Sequence, residues 1–196
     1  LQVSLLRVLA GFGLGLTAGL LIGGAMGLSP TAHDYLYPSF KAFAQVPVLG
    51  WLPLLVLLVG IDEGLKFILI AKAALVPIAL NTCKGIQGVP TRSLEVARVL
   101  RFTRRQLLTK VVFPAALAPI WGGVRYGLTH AWLALVVVEL LASSEGLGFM
   151  IVYGRQLFQL DVVLAAVVVV GLVGYTLDTL LAAVERRLLG WRKEAF

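Results

Sequence analysis

Five ionisable side chains stand inside long apolar runs of this sequence: Lys72, Arg125, His130, Glu139 and Asp178. A charge at membrane depth is expensive to keep, so each is read first as part of a pathway, a proton relay or an ion pair. Lys72 has the sign to attract an anion in a pathway, and it also has the reach to snorkel to an interface or to pair with Asp178. Arg125 and Glu139 are fourteen residues apart, which places them on similar faces of one helix but about 20 Å apart along its axis, too far to pair directly. His130 suits a hydrogen bond between packed helices better than a proton relay. An intramembrane enzyme would need paired catalytic groups, and Asp178 has no twin.

A second set of residues is basic. The polar segment 81–110 holds seven of the seventeen Lys and Arg residues: Lys84, Arg92, Arg98, Arg101, Arg104, Arg105 and Lys110. Within it, TRSLEVARVLRFTRR (91–105) has helical character, with Leu94, Ala97 and Leu100 three apart and Arg98, Arg101, Arg104 and Arg105 forming a cationic face. Thr91 or Ser93 is placed to cap its start, and Glu95 in the first turn suits the helix dipole. A short amphipathic helix of this charge fits the surface of an acidic bilayer as well as a protein partner.

These residues are held by apolar spans. The chain of 196 residues is 59% apolar, only 14% charged, and has a mean hydropathy of +0.93, whereas soluble domains are nearer a quarter charged. A spanning helix needs about 20 mostly apolar residues, and five stretches qualify or come near: 5–28, 42–60, 65–80, 118–141 and 162–183. The first carries Gly11, Gly13, Gly15, Gly19, Gly23, Gly24 and Gly27. Gly11 to Gly15 and Gly15 to Gly19 are spacings that let helices approach closely. The second contains Pro47 and Pro53, which remove backbone donors and kink or break it.

The chain is read as an all-α membrane protein of one domain, 1–196. Basic residues cluster between spans, so the excess of positive charge reads as cytoplasmic loops, not as a nucleic-acid face. Segment 81–110 and the tail Arg186, Arg187, Arg192 and Lys193 then lie on the same, cytoplasmic side, two crossings apart. Three crossings back from the loop, Leu1 lies outside, so a sixth span is expected to precede it. Segment 143–160 and the turn at Asp62, Glu63 and Lys66 face the periplasm. The single Cys83 excludes an internal disulfide, no metal-ligand spacing occurs, and no phosphate-cradling G-x-x-x-x-G-K-[ST] loop is present. No internal repeat suggests the inverted halves of an ion-coupled secondary transporter, the competing reading.

Glu95-Val96-Ala97, then Arg101, then Val111-x-Phe113-Pro114 follows the spacing of the EAA loop, E-A-A-x3-G-x9-I-x-L-P, of permeases in binding-protein-dependent ABC importers. Around it, PVLGWLPLLVLLVGIDEGLKFILI, PIALNTCKGIQGV, PAALAPIWGGVRYGL and VVVELLASSEGLGFMI resemble the sulfonate, taurine and nitrate branch, over essentially the whole chain. The resemblance implies a type I ABC importer transmembrane domain in a bacterial inner membrane, a non-catalytic subunit whose loop 81–114 forms a coupling helix. It assigns coupling to Ser93, Leu94, Glu95, Ala97, Arg98, Leu100, Arg101, Arg104 and Pro114. It also implies a second copy of the permease, two cytoplasmic ABC ATPase subunits carrying ATP and Mg, and a periplasmic substrate-binding protein; this chain needs no cofactor. An aliphatic sulfonate or taurine leads as cargo, with nitrate, bicarbonate-like anions and thiamine-precursor-like molecules as alternatives. Two positions depart from the motif: Val96 replaces its second residue and Arg101 its Gly. A side chain at 101 is expected only if the backbone there is not at positive φ, so either the helix continues through Arg101 or the docking geometry differs.

Overall fold

The computed structural model describes residues 1–190, and the regular structure among them is entirely helical. Its frame is a layer of three long helices, α1 (Gln2–Leu28), α4 (Glu63–Gln87) and α7 (Phe113–Ala142). Gly11, Gly15, Gly19, Gly23 and Gly27 recur every four residues, so they form one stripe along α1. That stripe lies directly on α4. A Cβ at Gly11, Gly19 or Gly27 would come within 2.7, 2.9 and 2.9 Å of Ile70, Ile78 and Ile86 Cβ, and at Gly15 within 2.7 Å of Ala74 Cβ. The numbers rise together on both helices, so α1 and α4 run parallel. Gly13 and Gly24, off the stripe, face nothing within 4 Å.

On the other side of α4, α7 runs antiparallel. Gly127 lies against Ile78, Gly123 against Asn81, and Gly85 of α4 against Pro119. Helix α4 is therefore enclosed between its neighbours, with Leu65, Leu69, Ile70, Ala74, Ile78 and Ala79 fully buried. By length and composition α1, the continuous rod Arg104–Ala142, and α9 (Leu160–Leu188) are the helices able to cross a membrane alone. The expected span 65–80 is thus α4, long enough but carrying Glu63, Lys66, Lys72 and Lys84, and shielded by protein on two sides.

The expected continuous span 42–60 does not form. In its place α2 (Pro30–Gln45) and α3 (Leu52–Val59), joined through a 3-10 turn at Val48–Trp51, are bent by 90°. Pro47 explains the position of the break: its ring pushes the preceding residue out of the α region, and Val46 is extended at φ −74°, ψ 116°. The helical excursion also begins at Pro30, twelve residues earlier than expected, where Ser29 caps α2 by accepting from the Ala32 amide. It must return the chain to the other end of the layer, because parallel α1 and α4 require a crossing between them.

Beyond α7, the short α8 (Leu147–Gln156) turns the chain into α9, which runs back antiparallel to α7, with Gly174 against the Trp132 indole. Arg186 and Arg187 close α9 at its C-terminal end, while Arg192 and Lys193 lie outside the described residues.

The stripe makes a direct prediction. Gly15→Leu is expected to force α1 off α4 and lower stability by about 2 kcal/mol or more, as overpacking of a tight contact does, while Gly13→Leu leaves it unchanged. Unfolding of the purified protein in mixed detergent micelles checks both.

Candidate functional site

The loop expected to couple is anchored between α4 and α7. Helix α5 spans Thr91–Val99, with Pro90 at its N-cap and no side-chain cap, so neither Thr91 nor Ser93 caps it. Instead Ser93 N donates to the Pro90 carbonyl at 3.0 Å. Glu95 falls beyond the first turn, which holds no acid. One face turns inward: Ala97 is 2% exposed, and Leu94 packs against Ile86, Val89, Val112 and Ala116. The opposite face presents Glu95, Val96, Arg98, Val99 and Leu100 to solvent, Val99 at 82% exposure.

The helix ends at Val99 rather than running to residue 105. Arg101 has φ +53°, the left-handed conformation expected to be closed to it. Phe102 N donates to the Ala97 carbonyl and Arg101 N to the Arg98 carbonyl, both at 3.0 Å, the paired bonds of a Schellman turn. An arginine therefore occupies the position that the motif gives to glycine, at a cost of about 1–2 kcal/mol. Thr103 then starts a new helix, α6 (Arg104–Leu107): its hydroxyl accepts from Gln106 N at 3.3 Å and its amide donates to Gln106 Oε1 at 2.9 Å. Arg98 thus lies in α5, Arg101 in the turn that ends it and Arg104 and Arg105 in α6, so the continuous cationic face does not exist. A π turn, Leu108–Val112, precedes Pro114, whose ring and missing N–H do not fit a regular helical ladder.

The ionisable groups in the spans fall into three places. Arg125 binds Asp178 with two bonds of 2.7 Å and reaches Glu185 at 3.3 Å, tying α7 to α9. Asp178 is therefore not the partner of Lys72. Lys72 Nζ instead donates to the Val46 carbonyl, which the break at Pro47 leaves without a helical partner, and sits 5.1 Å from the Phe43 ring and 5.5 Å from Trp51. His130 makes no bond between helices. Its Nδ1 lies 2.9 Å from the Tyr126 carbonyl one turn back, and its ring stacks on Tyr126. A cavity of about 480 Å³ opens here, lined by Lys72, Asn81, Lys84, Tyr126 and His130 among others, with no carboxylate.

Glu139 is the third place, and there the sequence reading saw one residue of a larger network. Its side chain is fully buried and accepts from Ser4 Oγ at 2.9 Å, Arg7 Nη1 at 2.9 Å and Gly148 N at 3.0 Å. Arg7 in turn forks onto Glu63 at 2.6 and 2.7 Å, and Lys66 reaches Glu63 at 2.6 Å. Two cations and two carboxylates thus join α1, α4, α7 and the start of α8 at one end of the layer. Gly146, at φ +113°, has the carboxylate against it, leaving no room for a side chain. Arg7 and Ser4 were missed; a lone arginine near the start of an otherwise apolar span was the available signal. Glu63 and Lys66 stood only as an outer turn.

A parallel, glycine-packed helix layer with a broken crossing and a loop helix anchored between two spans is the architecture of a multi-pass transport permease. A solved inward-facing form of the MetNI methionine ABC transporter has this fold, with a TM-score of 0.66 over 94% of this chain and 90% of that chain at 18% identity. Residues 15–190 match the family described as binding-protein-dependent transport system inner membrane component, and the chain belongs to it. It is 44% identical to the putative aliphatic sulfonates transport permease protein SsuC of Bacillus subtilis, covering 98% of this chain and 70% of that protein. It is 37% identical to the taurine transport system permease protein TauC of Escherichia coli, over 99% and 70%. Against the nitrate import permease protein NrtB of Synechocystis it is 34% identical, over 93% and 66%. Membership sets aside the readings as a secondary transporter and as an intramembrane enzyme.

Two outcomes are expected. Arg7→Ala leaves the Glu139 carboxylate buried without its cation and should cost about 3–5 kcal/mol, read as a loss of folded protein in detergent. Arg101→Gly relieves the left-handed strain and should raise the melting temperature of the purified protein, whereas Arg101→Val should lower it.

Proposed function

We propose that this chain is the membrane subunit of an ATP-driven importer for a small organic sulfonate of the taurine or aliphatic type. It works as two copies, with two cytoplasmic ABC ATPase subunits that carry ATP and Mg and a periplasmic binding protein that delivers cargo, in a bacterial inner membrane. The chain itself is non-catalytic and holds no cofactor. The observation that carries this reading is α5: a short helix packed inward through Leu94 and Ala97, leaving Val96, Val99 and Leu100 uncovered beside Glu95 and Arg98. Exposed apolar side chains ringed by charge mark a protein contact, and a bilayer would take the apolar residues and basic residues on separate faces. Docked on an ATPase, α5 moves with it. Its two flanking turns, the Schellman turn at Arg101 and the π turn before Pro114, pass that motion to α7.

The cargo class is supported by the relatives SsuC and TauC and by the sign of the central cavity, in which Lys72, Lys84 and His130 face no acid. Alternating access would open this cavity to each side in turn. Helix α8, with Met150 and Tyr153 exposed, and the turn after it, with Phe158 exposed, lie at the end expected to meet the binding protein.

The test is reconstitution. Co-expressed with the ATPase and binding protein encoded beside it and placed in liposomes, the chain should support ATP-dependent uptake of taurine or ethanesulfonate. Failure to retain an ATPase on purification would refute the importer reading. Val99→Asp, at a fully solvated position, should cut uptake at least tenfold with membrane insertion unchanged; wild-type uptake in that variant would remove α5 from the coupling.

A further inference from the structure

The central cavity does not stand alone. Lys84, in the last turn of α4, lines it and also lines a second cavity of about 390 Å³ with Gly88, Ser93, Ala115 and Pro119. Ser93, Pro114 and Ala115 are shared in turn with a third, of about 550 Å³, which is walled by Arg92 and Lys110. The three are neighbours that share lining residues, running from between α4 and α7 to the loop 81–114. Each contains at least one cation, and none is lined by an aspartate or glutamate. Elsewhere in the described structure cations are paired: the buried Arg7 and Lys66 meet Glu63 and Glu139, and the half-buried Arg125 meets Asp178 and Glu185.

We propose that Lys84 is a transfer site for the transported anion, handing it from the central cavity to a basic cytoplasmic exit formed by Arg92 and Lys110 beside α5. The inference rests on the reading of the chain as an anion importer and adds the route and its residues. Lys72 and Lys84 are twelve residues apart on α4, about 18 Å along the axis. Both line the central cavity, so an anion held near Lys72 has Lys84 as the next cation toward the loop. Lys72 is already engaged by the Val46 carbonyl and two aromatic rings, whereas among the described residues no hydrogen-bond or ion partner holds the exposed Lys84 ammonium. That leaves Lys84 free to take an anion and to release it. Passage through a pore needs such intermediate sites, each attractive enough to enter and weak enough to leave. Positive-inside topology accounts for cations at this end of the layer; it does not require them to line adjoining cavities that hold no acid. The exit also runs alongside α5. Movement of α5 therefore changes the width of the passage at Ser93 and Ala115, which would tie release to the ATPase cycle.

The charge of the route is tested without knowing the cargo. In the assembled complex, with Cys83→Ser as background, Ala115→Cys places a thiol where the second and third cavities meet. Its reaction with the anionic 2-sulfonatoethyl methanethiosulfonate should exceed that with the cationic trimethylammonium-ethyl analogue by about tenfold after correction for their reactivity with a free thiol. Adding Lys84→Gln should lower that ratio several-fold, and Lys84→Arg should keep it. An unchanged ratio with Lys84→Gln, or a preference for the cationic reagent, overturns the proposal. In liposomes, Lys84→Gln should cut ethanesulfonate uptake about tenfold, with Lys84→Arg restoring it. Normal uptake by Lys84→Gln overturns the transfer role while leaving the importer reading intact. An anion-selective thiol in a wild-type complex that imports no sulfonate instead overturns the cargo class and leaves the route standing.

Discussion

The contact on which the rest of the molecule depends is the stripe of five glycines by which α1 lies on α4. In a bilayer, apolar side chains gain little by leaving lipid for one another, so helices associate through close packing and polar bonds. Here the backbone of α1 comes so near to Ile70, Ala74, Ile78 and Ile86 that no side chain fits between. That contact makes the two helices parallel. Parallel neighbours in one chain need a return crossing, and the bent α2–α3 excursion is that crossing, with its break beside Lys72.

The two ends of the layer are finished by opposite means. At one end, a closed set of two cations and two carboxylates fixes four elements to one another, the Glu139 carboxylate accepting from the Gly148 amide of α8 while the Leu147 amide donates to Ser4 Oγ. Such a network is compact and neutral, and a removed partner leaves a buried charge without compensation. At the other end, the cations of the loop 81–110 are left facing cavities and solvent, and the chain breaks into short helices with a Schellman turn and a π turn between them. One end is tied by a closed ionic network, and the other is a run of short helices with exposed cations.

The middle of α7 and α9 is joined by Arg125, Asp178 and Glu185, and the Trp121 indole donates to the Leu181 carbonyl at 3.4 Å a turn further on. These bonds give the outermost helix, most of which faces away from the protein, a fixed rotation against α7. Only with that rotation set does its apolar surface face outward and its acids inward.

The sequence by itself determined the class of protein, the spans at both ends of the chain and the spacing from Glu95 to Pro114. Each of these is local: hydropathy over about twenty residues, or spacing within one loop. Tertiary structure alone decided the partners. Asp178 was open to Lys72 by composition, but the antiparallel packing of α7 and α9 brings it to Arg125. The span expected at 42–60 failed because Pro47 ends a helix there while the carbonyl it frees is satisfied by Lys72 on another element. Arg101 adopts positive φ because the flanking segments, tied into α4 and α7, need the chain to turn after Val99 whatever residue stands there. Arg7 was invisible as a site residue because a buried cation is legible only once its carboxylates, 56 and 132 residues away in the chain, are placed around it.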